Sequence, residues 1–476
     1  MMTEDVRVLR LVEMISRQKG RPARRIIHAV ISIALRLFFR RIETSNVERV
    51  PMTGALIFVL NHPNGLIDPA LVFCALPRRV SFLAKSTLFR LPVLGYLMRV
   101  LESLPVYRRI DRGEDVSRNL RTFEACHELL RRGRCIALFP EGISHSKTEL
   151  QPVKTGAARI ALGALSKNDA DENALTSLRI QPVGLYYTSP TTFRSEALLR
   201  FGDSFEVQAV APDEDGQPPR SAVRELSQRI EDALREVTLN VESREALAEV
   251  TKAEQLFSSI YEGLDVRQSL TVSFNRLRQL AEWRRRSLRS PLAPRIERLR
   301  SRILSYEEEL SRIGITPENL SLSAHSGWYV FQHFLLRTIL LSLLFPLALV
   351  GAVLHFPAYM ICDVASRIYI RHGADDSAST VKILVAIVVM PLTWILATGA
   401  AYFLWGWRAA LLALPLVVVA GYVAMRSLEE LYDMRGWFKA IFILLRHRGL
   451  YLRLLIERKS LHAEMEQIAE SEQGRN

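Results

Sequence analysis

The chain has 476 residues, 49% of them hydrophobic, and carries 63 Lys plus Arg against 50 Asp plus Glu for a net charge of +13. That length exceeds one ordinary domain and leaves ample material for a buried core, so two or three folded parts are expected. The positive balance favours polyanions, and with no zinc-finger, homeodomain or aromatic RNA-binding signature the expected partner is an anionic lipid surface, not nucleic acid.

Met1 to Gly20 is charged and lacks the apolar core and small-residue cleavage site of a signal peptide, so exported domains are not expected. Ile26 to Arg41 is apolar for about ten positions, with Arg24, Arg25, Arg36, Arg40 and Arg41 in or beside it. It is short for a span. It suits a helix lying in a membrane interface with its arginines toward headgroups, or equally a buried core helix.

From Val47 to about Val207 the pattern is that of an α/β domain. Apolar runs at Ala55–Leu60, Val80–Ala84, Cys135–Phe139 and Ile180–Tyr187 read as strands. Between them, Ala70–Ala75, Leu88–Val100, Arg118–Arg131 and Lys154–Leu165 read as helices. Residues just past strand ends are where such folds bind ligands. The four cysteines, Cys74, Cys126, Cys135 and Cys362, form neither a disulfide framework nor a metal spacing, and no other ligand spacing implies a metal or organic cofactor.

Pro212–Pro219 breaks this rhythm, and charged helices follow to about Ser323. Ten arginines fall between Arg276 and Arg302, which reads as a solvated face or as a contact for anionic headgroups. Three apolar blocks come next: Thr338–Ile361, Ile383–Phe403 and Ala409–Met425. The last two are joined by Leu404–Arg408, a tight turn with interfacial tryptophans, and read as a hairpin crossing twice. The first contains Pro346, Gly351, His355 and Pro357, which are expected to break or kink it.

Basic residues precede the first block (Arg312, Arg337), separate it from the second (Arg367, Arg371, Lys382) and follow the third (Arg426, Arg435, Lys439). All three groups favour the cytoplasmic side, which is met if the first block re-enters or lies shallow. The expected organisation is an interfacial helix region over 1–46, an α/β domain over 47–210, a charged helical region over 211–330, membrane segments over 331–426 and amphipathic helices over 427–476.

Two polar loops carry the chemistry. The first, Asn61-His62-Pro63-Asn64-Gly65-Leu66-Ile67-Asp68, follows a strand and places an imidazole and a carboxylate on one turn, so that Asp68 can hold one ring nitrogen while the other takes a proton from an alcohol. Taken alone it is also ordinary turn chemistry. The second, Phe139-Pro140-Glu141-Gly142-Ile143-Ser144-His145, follows another strand; glycine lets backbone approach a ligand, and the polar side chains can bond hydroxyls or phosphate.

Asn-His with a following Asp, then Phe-Pro-Glu-Gly about eighty residues later, resembles the glycerolipid acyltransferase family, which acylates glycerol phosphate and its monoacylated product. Lys85-Ser86-Thr87-Leu88, Leu104-Pro105-Val106-Tyr107-Arg108-Arg109, Gln151–Gly156 and Ile180–Leu185 match further family stretches, so the resemblance covers roughly Glu48 to Val207. Five residues, not the usual four, separate His62 from Asp68, and Ile143-Ser144 followed by His145 replaces the usual Thr-Arg. Both departures resemble the fungal-type enzymes acting on glycerol 3-phosphate and dihydroxyacetone phosphate.

The resemblance implies an α/β acyltransferase domain followed by an Arg-rich helical region and C-terminal transmembrane helices. It implies His62 as general base and Asp68 as its orienting partner, with Asn61, Glu141, Gly142, Ser144 and His145 around the acceptor and Lys85, Arg108 and Arg109 supplying positive charge. The acyl donor would be acyl-CoA or acyl carrier protein, and the catalytic domain would face the cytoplasm. Two alternatives are a lysophosphatidate or other lysophospholipid acyltransferase and, of another class, a non-catalytic lipid-binding scaffold.

Overall fold

The computed structural model describes residues 6–16, 22–108, 111, 113–165, 175–261, 268–287, 293–324, 326–370 and 378–473. They divide into two compact units, Met1–Asn240 with Tyr369–Thr380 and Val241–Ile368 with Val381–Asn476.

The first unit is built on one mixed sheet. Its strands are β1 (Val6–Val8), β2 (Arg41–Ser45), β3 (Ala55–Leu60), β4 (Val80–Lys85), β5 (Leu104–Val106), β6 (Cys135–Leu138), β7 (Leu178–Tyr187), β8 (Glu196–Phe201) and β9 (Phe205–Glu206). They run in the order β1-β2-β8-β7-β3-β6-β4-β5, with β9 paired to β7. Strand β3, six consecutive apolar residues, is buried throughout and parallel to both neighbours, as a strand covered on both faces must be. The stretch β7-β3-β6-β4-β5 is parallel throughout, so five carboxyl ends open on one edge.

Helices α1 (Leu11–Ser16), α2 (Pro22–Phe38), α3 (Ile67–Ala75), α4 (Pro92–Val100), α5 (Asn119–Arg131), α6 (Gly156–Leu165) and α7 (Arg220–Val237) complete the unit. The expected strands and helices between 55 and 187 all appear, with ends shifted by a few residues. The expected domain boundary near 210 does not hold for packing. Val223, Leu226, Ile230, Leu234 and Val237 of α7 join the core beside Ile57, Val59 and Ile180, so α7 covers the sheet. Gly184 permits this, since a Cβ there would lie 2.0 Å from the Val237 carbonyl oxygen. The N-terminal region also belongs to the unit, because β2 pairs with β8 along its whole length.

Helix α2 departs from the expectation at Arg24, which turns inward and not toward headgroups. Arg24, His28 and Ser32 are buried, whereas Ile26, Val30, Ile33 and Leu37 are exposed. Arg24 faces the fold: its guanidinium donates to the carbonyls of Leu101 (3.1 Å) and Val80 (3.2 Å) and lies over the Phe73 ring. The spacing i, i+4, i+8 of the polar residues places them on one stripe of the helix. Arg194 closes the helix end by donating to the carbonyls of Arg36 and Phe39.

The second unit is helical: α8 (Arg244–Ser258), α9 (Leu270–Ser287), α10 (Ala293–Ile313), α11 (Gly327–Ile370), α12 (Ala378–Trp405), α13 (Trp407–Arg446) and α14 (Arg448–Gln473). Ser243 caps α8 by accepting from the Ala246 amide. Leu299, Ile303, Tyr306 and Leu310 of α10 pack with Tyr451, Leu454 and Leu461 of α14. The arginine run is largely absorbed here. Arg284 pairs with Glu242 and Glu249, Arg300 with Glu249, and Arg302 with Glu457 and Glu464. These arginines join neighbouring helices through ion pairs, while the side chains of Arg300 and Arg302 remain partly exposed to solvent.

Helices α11, α12 and α13 are each long and apolar enough to cross a bilayer. The first block is neither broken nor short: α11 continues through Pro346 and Pro357 for 44 residues, about 66 Å at 1.5 Å per residue. Each proline costs one main-chain donor without ending the helix. The imidazole of His355 is satisfied among apolar neighbours, donating from Nδ1 to the Gly351 carbonyl (2.8 Å) and accepting from Trp394 Nε1 (3.0 Å). The expected loop residue Arg371 lies outside the described residues.

Candidate active site

Asn61 and His62 leave the end of β3, at the centre of the parallel stretch. Asn61 extends the ladder past the strand: its side chain donates to the Leu185 carbonyl (3.0 Å) and accepts from the Leu185 amide (2.7 Å). This holds the loop against β7. His62 then turns so that its ring stacks on Phe139, centroids 4.1 Å apart. Its Nδ1 lies 2.8 Å from Oδ2 of Asp68, on the first turn of α3.

Asp68 is wholly buried and receives two further donors. The Asn64 amide reaches Oδ2 at 2.7 Å, and the Tyr187 hydroxyl reaches Oδ1 at 2.6 Å. With acceptor-only oxygens facing it, His62 carries its proton on Nδ1. No hydrogen-bond partner among the described residues reaches Nε2, which is left with its lone pair. His62 lines a small cleft together with Asn61, Glu141, His145, Lys147 and Leu239.

Glu141 has a different place from the one expected. Its side chain is buried and its acceptors are taken by the protein: Oε1 accepts from the His62 amide (2.9 Å), and Oε2 accepts from the Gln151 amide (2.7 Å) and meets His145 Nε2 (2.5 Å). The His145 amide also donates to the His62 carbonyl (3.1 Å). The two motif loops are therefore laced together through main-chain atoms, with Glu141 at the crossing. Gly142, at φ +74°, makes the turn in the left-handed region; a Cβ there would lie 2.6 Å from Lys154 Nζ.

The expected cations come from neighbouring strand ends. Lys85 closes β4 and Arg108 follows β5, and both hold Asp111: Lys85 Nζ at 3.0 Å and Arg108 Nε at 3.0 Å. Arg108 also donates to the Gly142 carbonyl (2.8 Å), joining the β5 loop to the Glu141 turn. Burial works to raise the Asp111 carboxyl, but bonding to Arg108 and Lys85 outweighs it and holds the group below its ordinary value. Lys85, Arg108 and Ser144 are not among the residues lining the cleft beside His62. Arg109 lies outside the described residues.

Comparison with known proteins bears on this arrangement. The acyltransferase family model matches residues 41–186, the span that holds the sheet and both loops. A second model, the C-terminal domain of glycerol-3-phosphate acyltransferase 2, matches residues 276–473 of the helical unit. The chain carries an acyltransferase domain followed by a region similar to the C-terminal domain of a glycerol-3-phosphate acyltransferase.

An uncharacterized acyltransferase of Schizosaccharomyces pombe is 24% identical over 92% of this acyltransferase and 79% of its own length. Glycerol-3-phosphate O-acyltransferase 2 of Saccharomyces cerevisiae is 26% identical over 58% of this chain and 37% of its own. A chloroplastic 1-acyl-sn-glycerol-3-phosphate acyltransferase of Brassica napus is 28% identical over 35% of this chain and 43% of its own. This acyltransferase spans 37% to 58% of the length of the relatives whose names state an acceptor.

Three residues of this acyltransferase's site escaped sequence reasoning: Tyr187, Asp111 and Lys154. Tyr187 ends β7, which is itself a signal in a fold that binds at strand ends. Asp111 stands among arginines and reads as part of a basic run. Lys154 becomes a site residue only when its loop folds back on Pro140, whose carbonyl accepts from the Lys154 amide (2.9 Å).

Proposed function

We propose that this enzyme transfers a fatty acyl group from an acyl thioester, acyl-CoA or acyl carrier protein, to a hydroxyl of glycerol 3-phosphate or dihydroxyacetone phosphate on the way to phosphatidate. One observation carries the reading: His62, which lines the cleft, bonds buried Asp68 through Nδ1, and its Nε2 has no hydrogen-bond partner among the described residues. An alcohol does not ionise at neutral pH, so a base must take its proton as it attacks. In this reading Nε2 accepts the hydroxyl proton while oxygen bonds to the thioester carbonyl carbon. The tetrahedral oxyanion then collapses, the carbon–sulfur bond breaks, and the imidazolium returns its proton to the leaving thiolate. Asp68 stabilises the imidazolium in between.

The acceptor phosphate is assigned to Arg108, Lys85 and Lys154 beside Gly142. Lys85 and Arg108 share one carboxylate, so that group keeps one net positive charge for a phosphate. Glu141 acts as a brace in this reading. The chemistry asks for no metal or organic cofactor.

A second acceptor, lysophosphatidate, is favoured by the Brassica napus relative, which is named for it. Purified enzyme assayed with labelled glycerol 3-phosphate, dihydroxyacetone phosphate and lysophosphatidate, each with acyl-CoA and acyl carrier protein donors, separates the acceptors. His62→Ala is expected to abolish transfer while the protein still folds and inserts. Retained activity in that variant removes His62 from the role of base. The catalytic domain is assigned to the cytoplasmic face, with the exposed apolar stripe of α2 seated in an anionic membrane surface.

A further inference from the structure

We infer that Tyr187 is a positioning residue for the acyl-transfer step, acting on His62 through Asp68. The inference rests on the His62–Asp68 reading above and adds a third member from a strand 119 residues further along the chain.

Asp68 has two oxygens in unlike situations. Oδ2 takes the His62 Nδ1 proton and the Asn64 amide, both from its own loop. Oδ1 takes the Tyr187 hydroxyl, its one donor among the described residues. A carboxylate buried away from water needs each lone-pair direction answered, and one held only on Oδ2 is free to rotate about its Cβ–Cγ bond. The hydroxyl at 2.6 Å fixes the plane of the carboxylate and so the line from Oδ2 to Nδ1.

Tyr187 is itself held. It is the last residue of β7, paired in register with Ala197 of β8, and its ring stacks on the buried Phe39 at 5.6 Å and 22°. Burial, followed by the charge of Asp68 and the hydrogen bond to it, holds its phenol proton on well above the ordinary range, so it remains a donor wherever the enzyme works. The donor's positive end, on Oδ1, also offsets part of the carboxylate charge that Oδ2 presents to His62. It weakens the pull of Asp68 on an imidazolium, and so sets the proton affinity of Nε2.

The test is Tyr187→Phe, which keeps the ring and the stack on Phe39 and deletes one oxygen. The expected result is a fall in kcat of roughly 10- to 100-fold, about the worth of one hydrogen bond to a charged group. Acceptor KM should stay within about twofold, because Tyr187 does not face substrate. The acid limb of the kcat/KM profile should move to higher pH, since a less neutralised Asp68 binds the imidazolium more tightly. Incorporating 3-fluorotyrosine at position 187, a stronger donor of almost the same shape, should move the limb the other way; this holds even if the Phe variant folds poorly. A purely structural tyrosine gives neither opposite shift.

In a His62→Ala background, Tyr187→Phe should have no further effect on residual turnover. If His62→Ala is inactive while both Tyr187 replacements keep wild-type kcat and pH profile, the role of Tyr187 is refuted and the base is untouched. If His62→Ala stays active, the underlying reading is what fails.

Discussion

Replacing Glu141 by Gln separates a brace from a ligand for substrate. The carboxylate accepts from two main-chain amides, His62 at 2.9 Å and Gln151 at 2.7 Å, and its side chain is fully buried. Glutamine has the same shape but one acceptor oxygen. Whichever way the amide is turned, one of those N–H groups faces an NH2 and is stranded, at a cost of about 1–3 kcal/mol. The bonds that survive lose the charge on their acceptor, roughly another 1 kcal/mol in all. The sum is about 2–4 kcal/mol. For a unit of this size each kcal/mol lowers the midpoint by roughly 2–4 °C.

Glu141→Gln should therefore lose transferase activity on heating at a temperature lower by at least about 4 °C, relative to wild type. At permissive temperature kcat should fall, because the His62 amide it anchors positions the base, with acceptor KM little altered. Residual activity after timed heating of the detergent-solubilised protein reads the first effect, and initial rates across acceptor concentration read the second. Unchanged heat resistance together with a raised acceptor KM would show Glu141 facing substrate, and the brace would be wrong.

Three further outcomes are expected. Asp111→Asn should release Lys85 and Arg108 from their shared carboxylate and lower the glycerol 3-phosphate KM, or raise it if Asp111 is needed to aim them; a KM unaltered between pH 5 and 9 in both proteins would exclude the group from phosphate binding. Since Asp111 is held below its ordinary value, its native pairing is complete above the unfolded carboxyl's range and is lost only as pH falls through the depressed folded value. Ile33→Glu, on the exposed stripe of α2, should reduce association of the isolated Met1–Asn240 unit with anionic vesicles if that unit is shown to fold alone, and in the full chain should slow turnover of vesicle-borne lysophosphatidate more than that of soluble glycerol 3-phosphate; equal rates on both would refute interfacial seating. His28 is lowered from 6.5 to about 4 by burial and by the nearby charge of Arg24, and neither ring nitrogen has a partner among the described residues. Stability should thus be full above pH 6.5 and decline toward pH 4, as the unfolded chain takes a proton the folded one refuses. His28→Leu should flatten that decline in melts followed against pH.

Much of the site is local and could be read along the chain. A strand ending in Asn61-His62, with a helix opening on Asp68, places imidazole and carboxylate within six residues, and six residues cannot carry them far apart. The run Ala55–Leu60 is apolar on both faces and therefore central and parallel, as observed. The partners of these groups are not local. Tyr187 meets Asp68 because β7 pairs with β3, and the Glu141 turn meets the His62 amide because β6 flanks it on the other side.

Periodicity along the chain determined that α2 and α7 are helices and that three late segments are apolar enough to span a membrane. Which face of α2 is buried, and that α7 covers the sheet, were decided by the surfaces those helices meet. Arg24 and His28 go inward because main-chain carbonyls and Phe73 await them there, a fact no pattern of apolar residues encodes. The arginines of α9 and α10 belong to the same case: their charge is evident in the chain, but their carboxylate partners lie as far off as Glu464 is from Arg295 and Arg302. Local order follows from dihedral preference and periodicity, whereas the pairing of buried polar groups is settled only by which distant segments share the low-dielectric interior.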